Sequence, residues 1–353
     1  MSWVLAAVGV ALLTIAAVDV LVTTLGQGGG PLFLRITSLG WWIGSRLHRW
    51  RSGHRVLAVF GIAGFLLTVA LWLMLSWVGW SLILAADPGA VVVSDSGEPA
   101  SFVDRLHYVG FIMVTLTRGD FEPEGHWVKF ASLAATTGGF FLISLSITFL
   151  ITAVQAATHR RNVALYVYSL GSSACGIVLR GWDGERCACL SLAPHLQALT
   201  AMMTQLVQNH VTFPAVRFFH SLQRSSAAAP SLAALDEALT IIEYGLPDAG
   251  GLDTATIRTL RRSIDAYLLT LRGVHIRPAS AAPPIPTLRI LEARGVPVLG
   301  EDRFAEAVGQ LDERRRLLRA MVEADGWSWR DVLAEPEEEQ EERHPDRESA
   351  EEE

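Results

Sequence analysis

Charge is scarce in the first part of this sequence. Of 353 residues, 18% are Asp, Glu, Lys or Arg and 50% are hydrophobic. Before about Gln155 the charges are confined to a few short stretches, which excludes an ordinary water-soluble domain there. After His159 the composition is that of a soluble domain, ending in an acidic tail. Cysteine is nearly missing too. Cys175, Cys187 and Cys189 are the full set, too few for a disulfide framework and suited to a reducing compartment. Their Cys-x-Cys spacing beside His195 is weak as a soft-metal motif, and buried reduced thiols are the expectation.

Other absences narrow the function. The first apolar run has no basic stretch before it and is too long for a signal-peptide core, so a spanning helix is expected rather than a cleaved leader. No Gly-x-Gly-x-x-Gly turn occurs; the segment from Gly171 to Gly176 has the wrong spacing for a nucleotide cradle. With no P-loop, zinc signature or nucleophile–base pair, neither an enzyme nor a cofactor or metal is expected. The net charge of −7 comes largely from the tail, so no nucleic-acid partner is indicated.

What is present is membrane sequence. Residues 3–25, 56–86 and 128–157 are each long enough to cross a hydrocarbon core of about 30 Å. Arg35, Arg46, Arg49, Arg51 and Arg55 lie between the first two spans, and Arg160 and Arg161 follow the third. The connection over 87–123 instead carries Asp95, Glu98, Asp104, Asp120 and Glu122 against Arg105 and Arg118. Basic loops stay inside. This predicts a multi-pass protein of the plasma (inner) membrane with the N-terminus outside and everything after Arg161 cytoplasmic. Trp77 and Trp80 suit an aromatic belt at the outer end of span two. Residues 31–50 read as an amphipathic interfacial helix, or else as a linker packed on the spans. Asp19 is the one ionisable group at depth in span one, facing other protein, water or the near interface.

The 87–123 connection carries the functional signal. Residues 101–114 form a short apolar helix, too short to span, with Ser101 and Asp104 placed as an N-terminal cap. Thr115, Leu116, Thr117, Arg118, Gly119 and Asp120 follow at once, with Pro123 just beyond. Span, half-helix, short Thr/Gly/Asp segment and span together resemble the pore module of bacterial potassium channels, whose filter reads Thr-Val-Gly-Tyr-Gly-Asp. Thr115, Leu116, Gly119, Asp120 and Pro123 fall on the family's positions, and Trp127 falls at the aromatic heading its inner helix. Gly138 and Gly139 fall at its gating hinge, although paired glycines also serve as a packing seat.

Two residues depart from the pattern. Thr117 stands where the family has its first glycine, and left-handed backbone there would cost a β-branched residue about 1–2 kcal/mol. Arg118 replaces the tyrosine. Pointed at the axis, it would repel an ion at about 5 Å by roughly 3 kcal/mol; pointed back, it would pair with Asp104, Asp120 or Glu122. The resemblance therefore implies passive passage of a monovalent ion, with selectivity left open by the altered filter. Thr136, Thr137, Ser144, Ser146, Thr148 and Thr152 give span three the polarity of a cavity-lining helix.

Beyond Arg161, helical periodicity recurs at Leu196, Leu199, Met203 and Leu206, at Leu232, Leu235, Leu239 and Ile242, and from Ile257 to Leu271. Residues 278–286 read as a linker. Arg314, Arg315, Arg316 and Arg319 read as a solvated helix face, with an anionic-lipid contact as the alternative. Ser328 and Asp331 cap a last short helix, and 335–353 is expected to be disordered.

The expected fold is an all-α membrane protein. It has three transmembrane helices, a re-entrant pore helix and filter loop between the second and third, and an all-α cytoplasmic domain. The expected divisions are 1–55, 56–161, 162–334 and 335–353. The expected function is a homotetrameric potassium-channel-like subunit in the lipid bilayer, with an undefined cytoplasmic partner. The alternative is a non-conducting receptor or scaffold on the same fold. Cysteine-labelling of intact cells should leave positions after Arg161 unlabelled from outside; outside accessibility there would invert the topology.

Overall fold

The computed structural model describes residues 2–26, 28–51, 54–116, 119–182, 184, 189–214, 216, 219–272 and 276–333. The acidic tail expected to be disordered lies outside them, as does Cys187. The chain is mostly helical and divides into two compact units, Met1–Arg46 with Val59–Gln155, and Leu47–Ala58 with Ala156–Glu353. Three helices are long and apolar enough to cross a membrane: α1 (Trp3–Leu25), α3 (His54–Ala85) and α5 (His126–Leu170). The boundary between the units falls inside α5.

In the first unit α1 packs directly against α3. Gly9 and Gly79 bring α1 and α3 together so closely that a Cβ on Gly9 would lie 2.5 Å from the Gly79 carbonyl oxygen. Small residues permit such contact where hydrocarbon gives no hydrophobic drive for helix association. Asp19 supplies the polar link. Its carboxylate is buried and accepts from Trp72 Nε1 on α3 at 2.8 Å and from the Leu32 amide at 2.7 Å. Leu32 is the second residue of α2 (Pro31–Arg51). Pro31 has no N–H to satisfy, so Asp19 serves the first free amide of that helix. Thr23 Oγ1 accepts the Gly30 amide beside it at 2.8 Å.

α2 is amphipathic as expected. Phe33 and Thr37 are buried, Phe33 meeting Phe65 and Phe149 edge-on, while Leu39, Trp42 and Ile43 are exposed. Arg46 lies over the Trp42 ring at 4.7 Å.

The α3–α5 connection holds α4 (Phe102–Met113) and two strands the sequence did not suggest. β1 (Val91–Val93) pairs antiparallel with β2 (Phe121–Pro123), Val92 opposite Glu122. The fold is therefore not strictly all-α. Three-residue strands are too short for periodicity to reveal.

In the second unit, α6 (Ala174–Arg180), α7 (Ala193–Thr212), α8 (Ala228–Thr240), α9 (Thr254–Arg272), α10 (Arg289–Ala293), α11 (Glu301–Gly309), α12 (Asp312–Ala324) and α13 (Trp329–Leu333) enclose one apolar core. α8 is its axis: every residue from Ala228 to Thr240 is buried. Cys175 and Cys189 are buried. Ser328 N and Oγ both donate to Asp331 Oδ2 at 2.7 Å, the expected cap of α13.

A helix buried on all sides would ordinarily lack charge, yet α8 carries Asp236 and Glu237, 1% and 2% exposed. α12 answers them. Arg314 grips Asp236 through Nε at 3.0 Å and also meets Asp265, while Arg315 Nε meets Glu237 at 2.7 Å. Arg261 on α9 adds contacts to Asp236 at 3.5 Å and Glu243 at 2.8 Å. The expected solvated arginine face is overturned at these two residues: Arg315 is 2% exposed, because α8 presents acids that only buried cations can match. The expected linker is pinned by the same helix. Arg316 donates to Ala279 O at 2.6 Å, and Arg315 donates to Pro283 O at 3.1 Å and Pro284 O at 2.6 Å. The strap has few backbone donors of its own, and its carbonyls satisfy the guanidinium hydrogens the acids leave over.

The end of α5 is held similarly. Arg160 donates to Asp325 Oδ1 at 2.8 Å and to Phe219 O at 3.0 Å, both ion-pair partners being buried.

The neighbouring acids are shifted in opposite directions. Burial by itself would raise Asp236, but Arg314 and Arg261 outweigh it and hold the carboxyl below its ordinary range. Burial dominates at Glu237 and raises it, with Arg315 opposing. A depressed folded value means that the contribution of Asp236 is present above its unfolded pKa and is lost as pH falls through the folded one. Asp236→Asn should cost about 3–5 kcal/mol at neutral pH. The gap to the parent should narrow below about pH 4, read as thermal unfolding in detergent across a pH series. A gap constant with pH would exclude the ion pair as its cause.

Candidate functional site

α4 is a short helix held at both ends and along one side. At its start Ser101 Oγ accepts the Asp104 amide at 3.2 Å, and Asp104 Oδ2 accepts the Ser101 amide at 3.1 Å. This reciprocal box is the cap expected from the sequence. The Ser101 hydrogen bonds hold the Asp104 carboxyl below its ordinary value. Next to it Arg105 is buried and tied to backbone carbonyls: Nε and Nη2 donate to Ala100 O at 3.0 and 2.8 Å, and Nη2 donates to Pro88 O at 2.8 Å. These bonds fold the chain after α3 back onto the start of α4.

Along its length α4 is fixed to α3 and α5. Trp77 Nε1 donates to Leu106 O at 2.8 Å and passes close over Gly110. Tyr108 OH bonds Ser132 Oγ on α5 at 2.9 Å. Tyr108, Val109, Ile112 and Met113 form a buried cluster with Leu84, Val128 and Ala135.

At its carboxyl end α4 closes on itself. The Leu116 amide donates to Phe111 O at 2.9 Å and the Thr115 amide to Ile112 O at 3.0 Å. This six-to-one and five-to-two pairing is the Schellman closure, whose left-handed position is usually glycine. Thr115 occupies it with φ 62°, a strained geometry for a β-branched residue. Among the described residues of this segment, Thr115 and Gly119 (φ 79°) are left-handed. Thr117 and Arg118, the two departures from the family filter, lie outside the described residues.

The chain returns through Asp120, whose carbonyl accepts the Ser94 amide at 3.0 Å, into β2. Leu116, Gly119 and Asp120 come together with His107, Phe111 and Phe121 around a hollow of about 40 Å³, room for one or two waters. Of the acids named as partners for Arg118, Asp104 is committed to the cap, while Asp120 and Glu122 are exposed.

The paired glycines divide their duties. A Cβ on Gly139 would lie 2.3 Å from the Met113 carbonyl oxygen, so the end of α4 rests on that bare backbone. A Cβ on Gly138 would meet nothing within 4 Å. Gly139 sits about 20 Å along α5 from His126 at 1.5 Å per residue. α5 runs unbroken past both glycines. Its Thr136, Thr148 and Thr152 hydroxyls bond back along the helix, to Ser132 O, Ser144 O and Thr148 O.

Sequence reasoning missed Arg105, Tyr108–Ser132 and Trp77 as positioning groups. An arginine inside an apolar half-helix was the available signal; the other two required the tertiary contact. Among the described residues no cluster of metal-ligating side chains occurs.

Gly139→Ala should destabilise the purified protein, while Gly138→Ala should leave its melting temperature unchanged or raise it, alanine being about 1 kcal/mol better in a helix. Equal effects would contradict the assigned packing seat.

No protein-family model and no solved structure matches the chain. It is similar, at 36% identity over 324 residues, to the Bacillus subtilis (strain 168) protein named uncharacterized membrane protein YdjJ, the alignment covering 91% of this chain and 94% of that one.

Proposed function

The chain belongs to the membrane-protein family of YdjJ, and from that premise we propose that it is a potassium-channel-like pore subunit passing monovalent cations across the membrane. One observation carries the reading: a helix of twelve residues, capped at its start, ends with Met113 against Gly139 partway along a spanning helix. In this reading α4 is re-entrant, and its carboxyl end, worth roughly half a negative charge, faces the ion path at Thr115, Leu116, Gly119 and Asp120. One such loop is a quarter of a filter, so the subunit assembles as a homotetramer. The N-terminus is outside, and the second unit is cytoplasmic and regulatory.

Carbonyls aimed at an axis replace an ion's water shell, and Thr117 and Arg118 set how well this filter does so. In planar bilayers under potassium, sodium and chloride gradients, the purified protein should carry cation current, and its mass in detergent should be that of four chains. Thr117→Gly combined with Arg118→Tyr should raise potassium selectivity over sodium, neither change sufficing alone. A stable monomer or dimer would overturn the pore reading. Tetramers that stay electrically silent in parent and variants would replace it with the non-conducting scaffold.

A further inference from the structure

The first unit contains a second cavity that the pore reading does not use. It has a volume of about 280 Å³ and lies among α1, α3 and α5. Its floor is Ala16, Val20 and Leu142, all buried, and its rim is Leu21 on α1 and Phe141 on α5, 49% and 59% exposed. Ser76 supplies the one hydroxyl on its wall. The volume approaches twice that of an apolar engineered cavity of about 150 Å³ that stays dry and takes up benzene. Water needs two to four polar partners to fill such a space, and among the described lining residues Ser76 and Trp80 are the only ones with a polar side-chain atom.

The space is made by the sequence. Gly138 lines it with no side chain, and an added Cβ there would meet no atom within 4 Å. The rim opens onto surfaces where α1 and α5 expose further large apolar residues, Val18 and Ile147 among them. On spanning helices the solvent for such surfaces is bilayer hydrocarbon. An unfilled slot would forfeit the dispersion contacts of its lining atoms, and a flexible methylene chain can supply them.

We propose that this slot is a binding site for one acyl chain of a bilayer phospholipid, seated on Gly138 between Leu21 and Phe141. Gly139, which also lines the slot, carries the end of α4 on its backbone. The acyl chain therefore packs against the same turn of α5 that seats the Thr115–Asp120 loop. The proposal goes beyond the pore reading and does not require it.

The test uses the full-length protein in phosphatidylethanolamine–phosphatidylglycerol vesicles doped with a phospholipid bearing a mid-chain diazirine. After irradiation, labelled residues are mapped by peptide mass spectrometry. Labelling of Leu21, Phe141 and Leu145 should exceed severalfold that of Ile62 and Leu66, which are exposed apolar residues of α3 outside the slot. Gly138→Leu, which fills the slot from within, should reduce the excess to the control level and leave Ile62 and Leu66 unchanged. Ala17→Phe, at the α1 rim, should do the same and stands in if Gly138→Leu does not fold. Equal labelling of slot and control in the parent would overturn the site. So would an excess that survives both fillings.

Discussion

The end of a short helix leaves carbonyls that need donors. In this protein α4 meets that requirement from its own loop. The Thr115 and Leu116 amides close on Ile112 and Phe111, and the backbone conformation this demands puts a threonine in the left-handed region. Strain of that kind persists only where the surroundings over-determine it. The surroundings are the capping box at Ser101, the Arg105 staple, the Trp77 and Tyr108 hydrogen bonds and the bare backbone of Gly139. Each holds α4 at a different point, and together they fix where the Thr115–Asp120 segment begins and ends.

The few charges in the apolar part and the many in the soluble part follow one rule. Ionisable groups enter the interior only where donors or opposite charges are already aligned. Asp19 meets an indole N–H and a helix-start amide. Arg105 meets carbonyls that a turning chain leaves unpaired. Asp236 and Glu237 meet Arg314 and Arg315, whose remaining hydrogens are taken by Asp265 and the proline-rich strap. Removing one member of such a pair leaves the other charged and dry, so these contacts act more as fixed registration between elements than as a net gain in stability.

Much of the fold was legible because it is local. Three apolar runs of spanning length, the Ser101–Asp104 and Ser328–Asp331 caps, and the periodicity of Leu196 to Leu206 each depend on residues within a few turns of one another. The candidate loop was legible by its place between two spans, and its capped half-helix was found at Phe102–Met113. Gly138 and Gly139 were not separable by sequence, since both are glycine on one helix and differ only in what faces them.

The sequence by itself determined that this is a membrane protein with a capped short helix between its second and third spans. Composition and periodicity suffice for that, because burial in lipid and backbone capping act over neighbouring residues. Only the tertiary structure decided that Asp19 anchors α2, that Gly139 seats α4 while Gly138 faces a cavity, and that Arg314 and Arg315 are inside. An arginine on a helix reads the same whether solvent or an aspartate waits opposite. That aspartate lies 78 residues away in the chain, a separation that no local pattern spans and only packing brings to hydrogen-bonding distance.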